Sequence, residues 1–192
     1  MPILSAEPAL FPANLFSPTY TGDAGRQWWV LHTRPRQEKS LARQLHEQSV
    51  PFFLPLISKW LNIRGKKVQS FLPLFGGYVF IHGQQEDRYF AIATRRVAQS
   101  IEVVDQRQLW TDLRQVHRLI GSGVVITPED HLEPGTAVEI QSGPLAGLRG
   151  VIIKSASGNR FLVKVDFIQR GASVLLEDCV LARVPDSSPY NA

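Results

Sequence analysis

Pro73-Leu74-Phe75-Gly76-Gly77-Tyr78-Val79-Phe80-Ile81 decides the reading of the fold. Gly76-Gly77 supplies a turn, and the four residues after it are aromatic or β-branched, the composition of a strand that buries at least one face. Ahead of it, dense apolar residues from Phe52 to Trp60 and an extended stretch from Val68 to Leu74 are joined through Arg64-Gly65-Lys66-Lys67, which predicts a β-hairpin with a basic tip. Further out, Trp28-Trp29-Val30-Leu31-His32 is a short run of strand formers. Pro35 then fits the opening turn of a helix running to about Ser49, with Leu41, Ala42 and Leu45 at helical spacing and Val50-Pro51 as its stop. Beyond the central stretch, a short helix near Asp87 to Ala93 and a strand near Ile101 to Val104 are expected. A second amphipathic helix follows, with Leu109, Leu113, Val116 and Ile120 on one face. The order β-α-β-β-β-α-β-α predicts an α+β domain in which helices pack on an antiparallel sheet.

The flanks differ in kind. Residues 1–25 hold Pro2, Pro8, Pro12 and Pro18 without helical or strand periodicity, and are read as a disordered N-terminal tail. Gly121-Ser122-Gly123 and Thr127-Pro128-Glu129-Asp130 read as a linker. After it, Val138–Ile140, Val151–Ile153, Phe161–Val165 and Val174–Leu176 are separated by Gly143-Pro144, Gly158-Asn159 and Gly171, the spacing of a small five-stranded β-barrel. The expected boundaries are 1–25 for the tail, 26–121 for the first domain, 122–131 for the linker, 132–185 for the barrel and 186–192 for a C-terminal tail.

The net charge of +4 is unevenly placed. Residues 26–121 carry fifteen Lys/Arg against seven Asp/Glu, whereas residues 131–185 carry six against five. A basic first domain points to a polyanion nearby, most simply nucleic acid, against the plainer reading of a solvated surface. One cysteine, Cys179, in an apolar run reads as a small buried hydrophobe, and it allows no intramolecular disulfide. The five histidines are too scattered for a zinc site. The sequence shows no Walker loop, serine elbow or metal quartet, so neither an enzyme nor a cofactor is expected. No run approaches the roughly 18 apolar residues of a membrane span, and a cytoplasmic, monomeric protein without membrane contact is expected.

The stretch 73–81 resembles the signature strand of the NusG N-terminal domain, with Gly76 where a proline is more common. Pro134-Gly135-Thr136-Ala137-Val138, continued through Gly143-Pro144-Leu145-Ala146-Gly147-Leu148-Arg149-Gly150-Val151-Ile152, resembles a KOW motif, which implies an SH3-like barrel. A Trp-rich opening strand, the Phe-Gly-Gly-Tyr strand and a C-terminal KOW segment, in that order, resemble the NusG family of transcription elongation factors over residues 26–185.

The resemblance implies that RNA polymerase is the partner, met at the β′ clamp helices by His32, Phe75, Tyr78 and Phe80, with Phe75 and Tyr78 expected on the surface. It implies a contact of Arg88 and Tyr89 with the β gate loop. Arg34, Arg36, Gln37, Thr94 and Arg95 fall where the operon-specific RfaH branch meets the non-template DNA strand. Arginine and glutamine suit that task, since they fork onto base edges and phosphates. The hairpin residues Arg64, Lys66 and Lys67 are similar to that branch and are expected near upstream DNA. Phe167, Ile168 and Arg170 correspond to the loop that meets Rho factor or a small-subunit ribosomal protein. These features favour a specialised paralog that suppresses pausing and termination. The alternatives are a general NusG factor and a ribosome-associated KOW protein that binds RNA. Gly143-Pro144 and Gly158-Asn159 argue for strands in the second domain over a helical hairpin.

Overall fold

The computed structural model of the chain describes residues 8–17, 20, 25–63, 65–129, 135–155, 158–176 and 181–183. It divides into two units, Met1–Gln106 and Arg107–Ala192. The whole is mixed α+β, with three α-helices and antiparallel sheets among the described residues.

In the first unit, β1 (Leu10–Phe11), β2 (Gln27–Thr33), β3 (Phe52–Phe53), β6 (Tyr78–Gly83) and β7 (Val97–Glu102) form a sheet in the order β1-β3-β6-β2-β7. The central pair is set by the alternation of large side chains, with Trp29 opposite Ile81 and Val30 opposite Phe80. Trp29, Leu31, Val79 and Ile81 pack on one face into a core with Leu41, Ala42 and Leu45 of α1 (Glu38–Glu47) and Ala91 of α2 (Gln85–Ala93). The strand β4 (Leu56–Ile63) and its partner β5 (Lys66–Pro73) stand as a separate two-stranded sheet.

Three expectations need correction here. Pro35 lies ahead of α1, which begins at Glu38 after a turn closed by the Gln37 N–H on the Arg34 carbonyl at 3.1 Å. The strand expected near Ile101–Val104 begins earlier, at Val97, and ends at Glu102. Residues 8–17 are not a free tail. Leu10 and Phe11 pair with Phe53 and Phe52, the Leu54 N–H reaches the Ala9 carbonyl at 2.7 Å, and Leu15 and Phe16 are buried. Phe16 stacks on Trp28 at 5.9 Å and meets Phe53 edge-on at 5.0 Å. Prolines and a two-residue strand leave no periodicity to read, while the two buried large side chains offset part of the ordering entropy of such a segment.

In the second unit, α3 (Gln106–Gly121) buries Leu109, Leu113, Val116 and Leu119, with Leu119 rather than Ile120 closing the apolar face. A six-stranded antiparallel sheet is built from β8 (Thr127–Glu129), β9 (Thr136–Ile140), β10 (Arg149–Ser155), β11 (Gly158–Val165), β12 (Arg170–Leu175) and β13 (Leu181–Arg183). Its order is β13-β9-β10-β11-β12-β8. The segment expected as linker thus contributes an edge strand, where Pro128 opposite Ala172 needs no second ladder partner. Gly150 is required by close approach: a Cβ there would lie 2.3 Å from the Leu162 carbonyl oxygen and 2.8 Å from the Phe161 ring. The side-chain amide of Gln115 on α3 pairs with both the N–H and the carbonyl of Arg149, at 2.8 and 2.9 Å. Arg118 donates to the carbonyls of Ala146 and Gly147 at 2.7 and 3.0 Å. The helix is therefore fastened to its sheet by polar side chains acting on backbone. Cys179 lies outside the described residues.

Candidate nucleic-acid and partner interface

Two loops at the same end of the first sheet carry the basic residues. The Arg34 N–H donates to the Arg96 carbonyl at 2.8 Å, which ties the β2–α1 loop to the α2–β7 loop. Arg36 and Arg95 sit in left-handed backbone, at φ 61° and 59°. Arg34, Arg36 and Arg95 are exposed. Arg96 is half-buried and acts as the fastener: its guanidinium donates to the Gln37 side-chain carbonyl and, through Nε, to Oε1 of Gln44 at 3.0 Å. Thr94 closes α2, its hydroxyl donating to the Ala91 carbonyl at 2.6 Å and accepting the Arg96 N–H at 3.3 Å. Five residues singled out from the sequence, Arg34, Arg36, Gln37, Thr94 and Arg95, are thus brought together by one that was not. Arg96 directly follows Arg95 on the chain, but a two-residue Arg-Arg run does not reveal which guanidinium turns inward.

The turn at Phe75-Gly76-Gly77 is held from two sides. The Thr33 N–H donates to the Gly77 carbonyl at 2.8 Å, and the Gly77 N–H donates to Oε1 of the buried Glu38 at 2.8 Å. At φ 85° and with a would-be Cβ 3.3 Å from Nε2 of His32, position 77 favours glycine twice over. His32 and Tyr78 emerge beside it, both half-buried, with ring centroids 5.2 Å apart. Glu38, which anchors this turn from the first turn of α1, is a second residue that sequence reasoning did not single out.

Phe75 corrects the expectation of an exposed ring: only 1% of it is accessible, and Phe80 is fully buried. The Gly76-Gly77 bend follows Phe75 and leaves its side chain pointing inward. From Val79 to Ile81 both faces of β6 are covered, which buries Phe80, while Tyr78, two residues back on the same face, lies at the edge of the covered area. Arg88 and Tyr89 part company. Arg88 lies over the Trp29 ring at 4.6 Å and donates to Ser100 at 2.9 Å, so its charge is spent on α2 packing; Tyr89 is exposed. Lys66 and Lys67 are exposed at the base of the hairpin tip, and Arg64 lies outside the described residues.

His82, on the same strand as Tyr78, is held neutral. Burial, assisted by the charge of Arg26, lowers its pKa to about 4. Its ring packs on Trp28 at 5.0 Å, and Nδ1 lies 3.4 Å from the Tyr20 hydroxyl. In the second unit, Phe167 is exposed and Ile168 and Arg170 are half-buried around a 3-10 turn, Asp166–Ile168. Burial raises the pKa of Asp166, opposed by the charge of Lys164, and the Asp166 N–H donates to the Asp112 carboxylate at 3.2 Å.

Among the described residues, no three His, Cys, Asp or Glu side chains gather into a metal site, and no helix is long and apolar enough to cross a membrane. A family model described as "Transcription termination factor nusG" matches residues 26–130, more than half of the chain, and places the protein among transcription elongation and termination factors. The chain belongs to the NusG family, whose members act on RNA polymerase and are not enzymes. No curated protein matches the chain.

Proposed function

We propose that this NusG-family factor is a specialised, operon-specific paralog that rides on RNA polymerase, reads the displaced non-template DNA strand, and suppresses pausing and termination. The observation that carries the reading is the arginine cluster. Arg34, Arg36 and Arg95 project from two loops tied by the Arg34–Arg96 backbone bond, with Gln37 held in place by Arg96. Loops tied at the backbone present these arginine forks side by side next to a held amide, and forks and amides of this kind suit recognition of base edges and phosphates.

His32 and Tyr78 are assigned to the β′ clamp helices, a role in which the buried Phe75 and Phe80 support the surface from beneath. Tyr89 is assigned to the β gate loop. Bridging the two polymerase subunits biases the enzyme toward its elongating conformation, a population shift that needs no chemistry. The C-terminal strands are read as a KOW barrel that meets Rho factor or a small-subunit ribosomal protein through Phe167, Ile168 and Arg170. The first domain is taken to extend from 26 to 121 and the barrel from 132 to 185, in a cytoplasmic monomer.

The test is crosslinking to the displaced strand in a reconstituted elongation complex. An Arg34→Gln, Arg36→Gln, Arg95→Gln variant is expected to co-purify with polymerase as the wild type does and to lose at least about tenfold in strand crosslinking, since each good fork contributes about 1–3 kcal/mol. Unchanged crosslinking in that variant removes the DNA-reading assignment. Wild-type protein that fails to bind polymerase removes the function as a whole.

A further inference from the structure

The hairpin β4–β5 carries exposed aromatic residues that its neighbours do not explain. Residues directly opposite in an antiparallel ladder point to the same face. The register therefore gathers Ser58 with Phe71, Trp60 with Gln69, and Asn62 with Lys67 on one face. Trp60 is 66% exposed and Phe71 44% exposed. They are diagonal neighbours across the ladder, a relation that sets residues roughly 7–8 Å apart.

The charge carried by the two strands is of one sign. Between Glu47 and Glu86 the chain has no acidic residue, while Lys59, Lys66 and Lys67 are all exposed on the two strands. Lys67 shares the aromatic face, and Lys59 and Lys66 stand on the other, where flexible stems can reach round a two-stranded ribbon.

We propose that this face is a stacking platform for single-stranded RNA. Trp60 and Phe71 each take one base, and Lys67, with Lys59 and Lys66 at the margins, meets the phosphates. The rings call for unpaired bases, because in a duplex both faces of each base are already stacked. On the same face Ser58 stands opposite Phe71, Gln69 opposite Trp60, and Asn62 one step beyond Trp60; these neutral groups both donate and accept, which suits the 2′-hydroxyl and exposed base edges of RNA. The site is separate from the arginine cluster. Its binding needs no polymerase, so it stands or falls independently of the DNA-reading assignment.

The experiment uses the full chain and fluorescence anisotropy. The probes are a labelled oligouridylate of about 12 nucleotides, within the site sizes such platforms cover, the oligodeoxythymidylate of equal length, a blunt RNA duplex, and phosphatidylglycerol vesicles. Oligouridylate is expected to bind several-fold tighter than its deoxy counterpart and tighter than the duplex. A Trp60→Ala, Phe71→Ala pair is expected to lose at least about tenfold in RNA affinity, given the stacking contribution of each base. A Trp60→Tyr, Phe71→Tyr pair retains aromatic faces and is expected to keep most of the affinity, with circular dichroism confirming that both variants fold. Equal or tighter binding of the deoxy strand, preference for duplex or vesicles, unchanged affinity in the alanine pair, or equal loss in the tyrosine pair each overturns the proposal.

Discussion

Phe161 and Trp60 are both aromatic residues in the middle of antiparallel strands, yet one is fully buried and the other two-thirds exposed. Phe161 belongs to β11, paired on both sides, and the stretch from Phe161 to Val165 is buried throughout. Trp60 belongs to β4, which has a single partner in a two-stranded sheet. Apolar density marks a strand in both places. It does not say whether anything covers the strand, because cover comes from residues distant in sequence. The pair therefore separates two roles for one residue type: in the six-stranded sheet aromatics hold the fold, and in the hairpin they are available to a ligand.

The comparison can be broken by measuring stability at both sites and at a third between them. Phe161→Ala is expected to cost about 3–5 kcal/mol, the range for deleting a fully buried ring, read as a lower thermal midpoint for the second unit. A loss below about 1 kcal/mol would mean that the six-stranded sheet is no better packed than the hairpin. His82 is half-covered by Trp28 and Tyr20 and gives a smaller, pH-dependent effect. With its folded pKa lowered from 6.5 to about 4, the unfolded chain takes up the proton first as pH falls through that window. Its contribution is thus present above pH 6.5 and lost on acidification toward pH 4. Discounted for solvent screening, the loss is about 1 kcal/mol, and His82→Gln is expected to flatten that part of the stability–pH profile. Trp60→Ala is expected to shift stability by no more than about 0.5 kcal/mol, as for other surface positions. A larger drop in the denaturation midpoint would make Trp60 a packing residue and dissolve the contrast.

What could be read in the sequence follows the same division. The strands at Trp28–His32 and Tyr78–Ile81, the buried face of α1 and the long amphipathic α3 are local patterns, and they stand where periodicity puts them. The hairpin and four strands of the second unit were legible from turn residues between apolar runs. The docking of Leu15 and Phe16 was not, because a segment interrupted by proline gives no period and owes its order to contacts with Trp28 and Phe53. Nor was the inward turn of Phe75, which depends on how Glu38 and Thr33 grip Gly77. At the arginine cluster the residue types were legible, and the division between displayed and fastening guanidiniums was not, since Arg95 and Arg96 differ only in which way the backbone turns them.

The left-handed backbone at Arg36 and Arg95 has a consequence for anyone engineering this protein. A side chain in that region costs roughly 1–2 kcal/mol, a strain that glycine does not carry. Directed evolution for heat resistance would therefore be drawn to glycine at these two positions, and each such winner would discard a displayed cation. A screen that rewards robustness alone would erode the arginine cluster while leaving the rest of the fold intact.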